Sequence, residues 1–361
     1  MKRKMIRAAA ILCAFICLFG GCAFPQADNN VVQPADTGAV QRTDHLAVSE
    51  TIAGLTKLFD AEKLLTVPDI LDAAGSSFSD WLAFALARSD VKENYSAYLN
   101  ALERHVEAAY QKENCLDQNR ATEYHRVCLT VLALGGDPRA FGTDAAGSAI
   151  DLVADGVWNF QEGDLDAQGI NAWIFALILL NAGGWDAPAG AAVSKNDIIE
   201  TLLQKQTDSG AWGYTGNDED VDLTAMAVQA LSGERTRPDI AEAIEKAFAW
   251  LSSRQTEDGA MPSKGTPTAE STAQTVVALC STGIDPSADG RFRKANGDLL
   301  SALERFRLPD GCFAHLSDDE KANGIATQQA LLALCAAERL RAGGTGVYDF
   351  GTETGKDGCM N

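Results

Sequence analysis

Six stretches of the 361-residue chain share one pattern: an apolar run rich in small residues that closes on Leu and then meets a Gly or polar break. They span 79–89, 123–136, 168–184, 221–233, 269–283 and 324–338, and close on Leu86, Leu134, Leu180, Leu231, Leu279 and Leu334. The steps between those leucines are 48, 46, 51, 48 and 55 residues. A self-similar period of this size marks a repeat architecture, in which each unit buries its apolar face only against its neighbours.

Between the apolar runs lie six amphipathic segments: 49–65, 93–116, 144–160, 194–206, 238–255 and 290–307. In 238–255, Ile240, Ile244, Ala247, Phe248 and Leu251 recur at helical spacing, with Glu242, Glu245 and Lys246 between them. A helix apolar on every side must be buried, and an amphipathic one covers it. Each repeat therefore reads as an outer amphipathic helix followed by an inner apolar one, and strand signals are nearly absent. Six such pairs can stand as an open solenoid or a closed ring, and with no evident polar caps closure is the arrangement expected to bury their end faces. The expected fold is all-α: six parallel inner helices inside a sleeve of six outer ones, spanning 46–345.

The linkers carry a family resemblance. Gln206, Gly210 and Trp212 fit the pattern Q-x-x-x-G-x-W. Trp250, Gln255, Asp258 and Gly259 form a second copy with Met261 in the aromatic place, and Arg307, Gly311 and Phe313 a third copy without the Gln. Three copies in phase with the helical period resemble the repeat of squalene cyclases and protein prenyltransferases, the α/α-toroid superfamily, over residues 49–341. The resemblance implies an (α/α)6 toroid. Gly ends the outer helix and the aromatic caps the gap between repeats.

Parallel inner helices open their N-termini on one mouth. Asp80, Glu123, Tyr124, His125, Asn171, Trp173, Asp220, Asp222, Glu270, Thr327 and Gln328 fall there, and the preceding loops add Asp166, Trp212, Tyr214, Phe313 and His315. The expectation is an acidic and aromatic rim around a funnel. Each carboxylate alone reads first as a helix cap, and each turn aromatic first as packing between repeats. As a converging set they define the candidate ligand site: Asp166, Asn171, Trp173, Tyr214, Asp220, Asp222, Glu270, Gln274, Phe313, His315 and Gln328.

Three activities follow from the superfamily. Class II terpene cyclases use an Asp-x-Asp-Asp motif whose middle Asp donates a proton to an alkene. Asp220-Val221-Asp222-Leu223-Thr224-Ala225 resembles it with Asp222 as the acid, but Leu223 replaces the last Asp. Asp310-Gly311-Cys312-Phe313 resembles the Asp-x-Cys zinc ligands of farnesyltransferase-type subunits, yet the matching His is missing and His315 stands only three residues on. The segments 220–231, 250–259, 265–286, 310–315 and 323–340 resemble lipid-anchored Gram-positive toroid proteins related to the α-domain of intrinsic factor and transcobalamin. That kinship implies a corrinoid (cobalamin-like) ligand held without catalysis. The β-domain of the animal proteins has no counterpart in the Gly-rich tail 346–361, so a partner protein would supply the other face. A protein- or glycan-interaction module at a surface stays open beside these readings, and no metal is expected.

The N-terminus reads as a targeting segment. Lys2, Arg3, Lys4 and Arg7 precede an apolar run, Ala8 to Phe19, too short to span a bilayer. Leu18-Phe19-Gly20-Gly21-Cys22 resembles a bacterial lipobox, which implies a signal peptide over 1–22 and a lipidated Cys22 that anchors the protein to the membrane outside the cytoplasm. Residues 23–45 read as a flexible tether. The formal charge of −20 repels nucleic acid and anionic headgroups, so no nucleic-acid partner is expected. No two of the nine cysteines stand in C-x-x-C spacing. A Cys115–Cys128 disulfide is open outside the cytoplasm, and Cys280 and Cys335, which end matching apolar runs, read as buried thiols.

Overall fold

The computed structural model describes residues 44–350 apart from Gly216 and Asn217. The expected leader, the lipidated Cys22, nearly all of the tether and Cys359 lie outside the described residues. Among the described residues the α-helices in order are α1 (Asp44–Phe59), α2 (Pro68–Asp72), α3 (Ser77–Arg88), α4 (Tyr95–Glu113), α5 (Ala121–Ala133) and α6 (Ile170–Gly183). They continue with α7 (Lys195–Gln204), α8 (Val221–Leu231), α9 (Pro238–Arg254), α10 (Ala269–Ser281), α11 (Leu299–Leu303) and α12 (Gly324–Arg341). Two hairpins of two-residue strands complete it: β1 (Trp212–Gly213) with β2 (Glu219–Asp220), and β3 (Pro262–Ser263) with β4 (Thr266–Pro267).

Helices α3, α5, α6, α8, α10 and α12 each pack on the next, and α12 returns to α3, which closes a ring. Like ends meet like ends. Asp80 near the start of α3 binds Arg126 in the first half of α5, Thr122 at the start of α5 binds Gln168 just before α6, and Asn181 near the end of α6 binds Ala230 near the end of α8. Cys335 of α12 reaches the Arg88 carbonyl at the end of α3. The inner helices are therefore parallel, and the fold is an α/α toroid.

The pairing of layers runs opposite to the expected order. Helices α4, α7, α9 and α11 pack on the inner helix that precedes each of them, and α1 packs on α12, the last inner helix. Two expected outer helices are also reduced. In 144–160, Asp144 Oδ1 accepts from Ala146 N and Ser148 N, and Gly147 (φ +80°) closes a turn, so local turn chemistry prevails over the apolar periodicity. Only a π-helical turn, Ala154–Trp158, is left to cover α5. In 290–307, Asp298 caps both Leu300 N and Ser301 N, so α11 starts late and is only five residues long.

The repeat motif has a concrete role in three successive turns. Gln206 Nε2 donates to Gly210 O across its own turn and to Ala243 O of the next outer helix, both at 2.9 Å. Gln255 Nε2 does the same with Gly259 O and Phe292 O, again at 2.9 Å. Arg307 stands where the third Gln would be: Nη1 donates to Gly311 O and Thr51 Oγ1, and Nη2 to Ala47 O, so it ties α1 to the end of the ring. The glycine is fixed twice over. Gly210 has φ +96°, and a Cβ there would come within 2.7 Å of the Lys246 backbone.

The residue after each turn is buried. Trp212, Met261 and Phe313 show no exposure beyond 0%. Their backbone N–H groups donate to Thr224, Thr272 and Thr327 Oγ1 at 3.0, 3.0 and 2.9 Å. Each threonine lies four residues after an N-cap, namely Asp220, Thr268 or Asn323, and donates back to that cap's carbonyl.

The segment expected as a tail joins the ring for as far as it is described. Val347 is buried, Tyr348 and Phe350 pack on Phe84 at 5.5 and 6.3 Å between ring centroids, and Arg88 donates to Gly346 O and Asp349 O. Five residues beyond the expected domain edge thus lie against the end of the barrel opposite the mouth. Cys115 and Cys128 are both free thiols.

Candidate functional site

Counting from the N-caps shows which side chains face the central channel. Two residues after the cap stand Asn171, Asp222, Glu270 and Ile325, and six after it stand Phe175, Met226, Gln274 and Gln329. All eight are half-buried, while their neighbours along each helix are mostly buried. On an inner helix that pattern marks the face turned to the channel. Two observations agree. Trp81 of α3 and Phe175 of α6 lie 5.8 Å apart between ring centroids, although α5 separates their helices in the ring. Gln329, Gln274 and Gln229 hydrogen-bond in series across α12, α10 and α8.

At the mouth, Asp222 is the residue with unmet chemistry. Its Oδ1 is buried and has no hydrogen-bond partner. Burial, with help from the nearby Asp220 and Glu270 charges, pushes its carboxyl up to about 6, against the opposing pull of Ser271 and His315. His315 Nδ1 lies 2.8 Å from Glu270 Oε2, and that contact raises the imidazole above its usual value. Asp220 Oδ1 accepts from Leu223 N and is the N-cap of α8, the place that Thr268 and Asn323 take on α10 and α12. Thr224 likewise belongs to the repeat. What is peculiar to this mouth is therefore Asp222, Glu270 and His315.

Several residues expected at the site are turned elsewhere. Phe313 is fully buried under the Arg307 guanidinium, 4.4 Å from its ring centroid. Trp212 is fully buried and donates Nε1 to Leu202 O. Trp173 is 7% exposed and gives Nε1 to Asp166, whose Oδ1 also pairs with Lys205 at 3.0 Å. That set ties α6 to its neighbouring loop. Gln328 is buried off the channel face, and its neighbour Gln329 holds the place expected for it. Asp80 and His125 are both 0% exposed: Asp80 binds Arg126, and His125 Nε2 contacts Gly156 O at 2.8 Å. Tyr124 is buried, with its hydroxyl accepting from Leu116 N and Asp117 N. Of the aromatics expected on the rim, Tyr214 stays exposed. The rim is acidic, and the aromatic surface lies deeper, at Trp81 and Phe175.

The farnesyltransferase-like ligand set does not assemble. Cys312 is fully buried with its thiol pushed up to about 12, while His315 is committed to Glu270. Among the described residues no cluster of three metal-binding side chains forms. Residue type alone does not single out the channel-facing Trp81, Phe175, Met226 and Gln329. Aligning α6, α8, α10 and α12 on their caps finds all but Trp81.

No protein-family model and no curated protein matches the sequence. Solved structures do. The apo form of a type II terpene cyclase variant from Scytonema is similar over 82% of this chain and 98% of its own, with a TM-score of 0.51 and 12% identity. Protein geranylgeranyltransferase-I from Candida albicans, complexed with GGPP, is similar over 81% of this chain and 91% of its own, with a TM-score of 0.54 and 11% identity. At these identities the likeness is one of fold: the chain shares the α/α toroid with both.

Proposed function

We propose that the protein is a lipid-anchored toroid, held outside the cytoplasm through Cys22, that binds a small molecule at the channel mouth without transforming it. The buried, unpartnered Oδ1 of Asp222 carries this reading. A buried acceptor with no donor is costly to leave unmet, and a ligand N–H or O–H would satisfy it. Below it, Phe175, Met226 and Trp81 favour an apolar body. Asp220, Asp222 and Glu270 disfavour a diphosphate by charge. A corrinoid, an apolar macrocycle edged with amide donors, matches that chemistry, with a partner protein covering its far face.

A second reading, acid catalysis on a neutral isoprenoid, draws on the carboxyl raised to about 6, which holds its proton more readily than a free Asp. Leu223 stands against it. It is buried at the position of the motif's last acid and offers no hydrogen bond to sharpen the donor.

Two substitutions separate the readings. Asn keeps an acceptor oxygen but cannot donate an acidic proton, whereas Leu removes both. For the binding reading, calorimetry with cyanocobalamin is expected to show a site that Asp222→Asn largely keeps and Asp222→Leu weakens by about tenfold. No binding to the wild type at micromolar concentration ends the corrinoid proposal. Cyclised product from squalene, lost in Asp222→Asn, would replace binding with catalysis.

A further inference from the structure

The opposite end of the ring holds a cavity of about 590 Å³. Its walls include Ile178 and Asn181 of α6, Gln229 of α8, Cys280 of α10, and Tyr348 from the segment that packs across the barrel end. This volume falls within the range of small-molecule sites.

The hydrogen-bonding groups there are unbalanced. Gln229 is 5% exposed, and its Nε2 donates to Gln274 O and Gln274 Oε1. A bond to a backbone carbonyl fixes which end of the amide is nitrogen. The other end, Oε1, is buried and accepts nothing. Asn181 is fixed in the same way: Nδ2 donates to Ala230 O, which leaves an oxygen as its remaining polar atom. The two rim cations are already engaged, Lys195 with Glu234 and Arg235 with Ser232 O. Helices α6, α8, α10 and α12 all end at this cavity, and helix C-termini carry partial negative charge. At the buried wall formed by Gln229 and Asn181 the unused groups are acceptors, and the four helix ends add partial negative charge, while the formal charges of the lining, Lys195 and Arg235 against Glu234 and Asp349, cancel.

We propose that this cavity is a binding site for a small alkylammonium ligand, with Gln229 Oε1 as the buried acceptor for its N–H group. The site is separate from the mouth: Asp222 and Gln229 lie near opposite ends of α8, and none of the mouth residues lines it.

The test is calorimetry of the full chain with 1,5-diaminopentane. One saturable site is expected. Gln229→Met, which keeps volume and removes the acceptor, is expected to weaken it at least about tenfold. Ser281→Phe, which fills the cavity from its edge, should do the same, and it keeps the test decisive if the first variant does not fold. Asp222→Asn should leave the affinity unchanged, so failure here is distinguishable from failure at the mouth. No binding to the wild type, or loss in Asp222→Asn with both cavity variants unaffected, overturns the proposal.

Discussion

Helices α8, α10 and α12 are each anchored in the same way: a polar cap, a threonine four residues on, and a buried residue from the preceding turn held by that threonine. Helices α3 and α5 are joined differently. Asp80, fully buried, takes Arg126 Nε at 2.9 Å, Tyr98 Oη at 2.7 Å and Gly75 N at 2.9 Å. Glu123 adds a second carboxylate to Arg126. One half of the ring spreads its specificity over repeated neutral hydrogen bonds, each worth about 1 kcal/mol. The other concentrates it in one desolvated ion pair, whose rupture costs far more than its formation gains. The comparison teaches that a repeat fold can lose its sequence signature in one half and still keep its geometry.

The largest effect is expected where the charge is concentrated. Arg126→Met leaves Asp80 buried and unpaired, and should cost about 3–5 kcal/mol in chemical denaturation. Adding Asp80→Leu should recover most of it. If Arg126→Met proves mild, the ion pair is not what distinguishes this half. Next come the turn glycines. Gly210→Ala and Gly259→Ala each meet a positive φ and a backbone neighbour, at 2.7 and 2.5 Å respectively, and each should cost about 2 kcal/mol. Unequal costs at the two copies would show that the repeats are less alike in energy than in geometry.

Opposite in sign, and confined to neutral pH, is the effect of Asp222→Asn. The folded chain holds the Asp222 proton up to about 6, whereas the unfolded chain releases it near 3.8, so stability falls as pH rises through that window. The substitution should therefore stabilise by about 3 kcal/mol at pH 7.5 and by almost nothing at pH 3.5. Thermal melts at the two pH values measure this, and equal shifts would contradict a raised carboxyl.

The repeat itself was legible because burial writes a period into the chain. The closing leucines and the Gln-Gly-aromatic turns all fall where the structure needs them. The site was less legible, for a physical reason. An acid at a helix start serves either as a cap or as a ligand group, and Asp220 and Asp222, two residues apart, turn out to do different things. The same ambiguity misplaced Phe313 and Trp173, since an aromatic after a turn packs between repeats as readily as it lines a rim. The missing outer helix in 144–160 was hidden by periodicity that Asp144 and Gly147 override.

The clasp made by Arg307 also bears on the order in which such a chain folds. Its bond to Ala47 joins groups 260 residues apart, and the face of α1 that rests on α12 has no partner until the last inner helix has been made. Contacts of such long sequence separation form late. Among the described helices the first in chain order is thus among the last to find its place, and until then its apolar side is open to chaperones or to another unfolded chain.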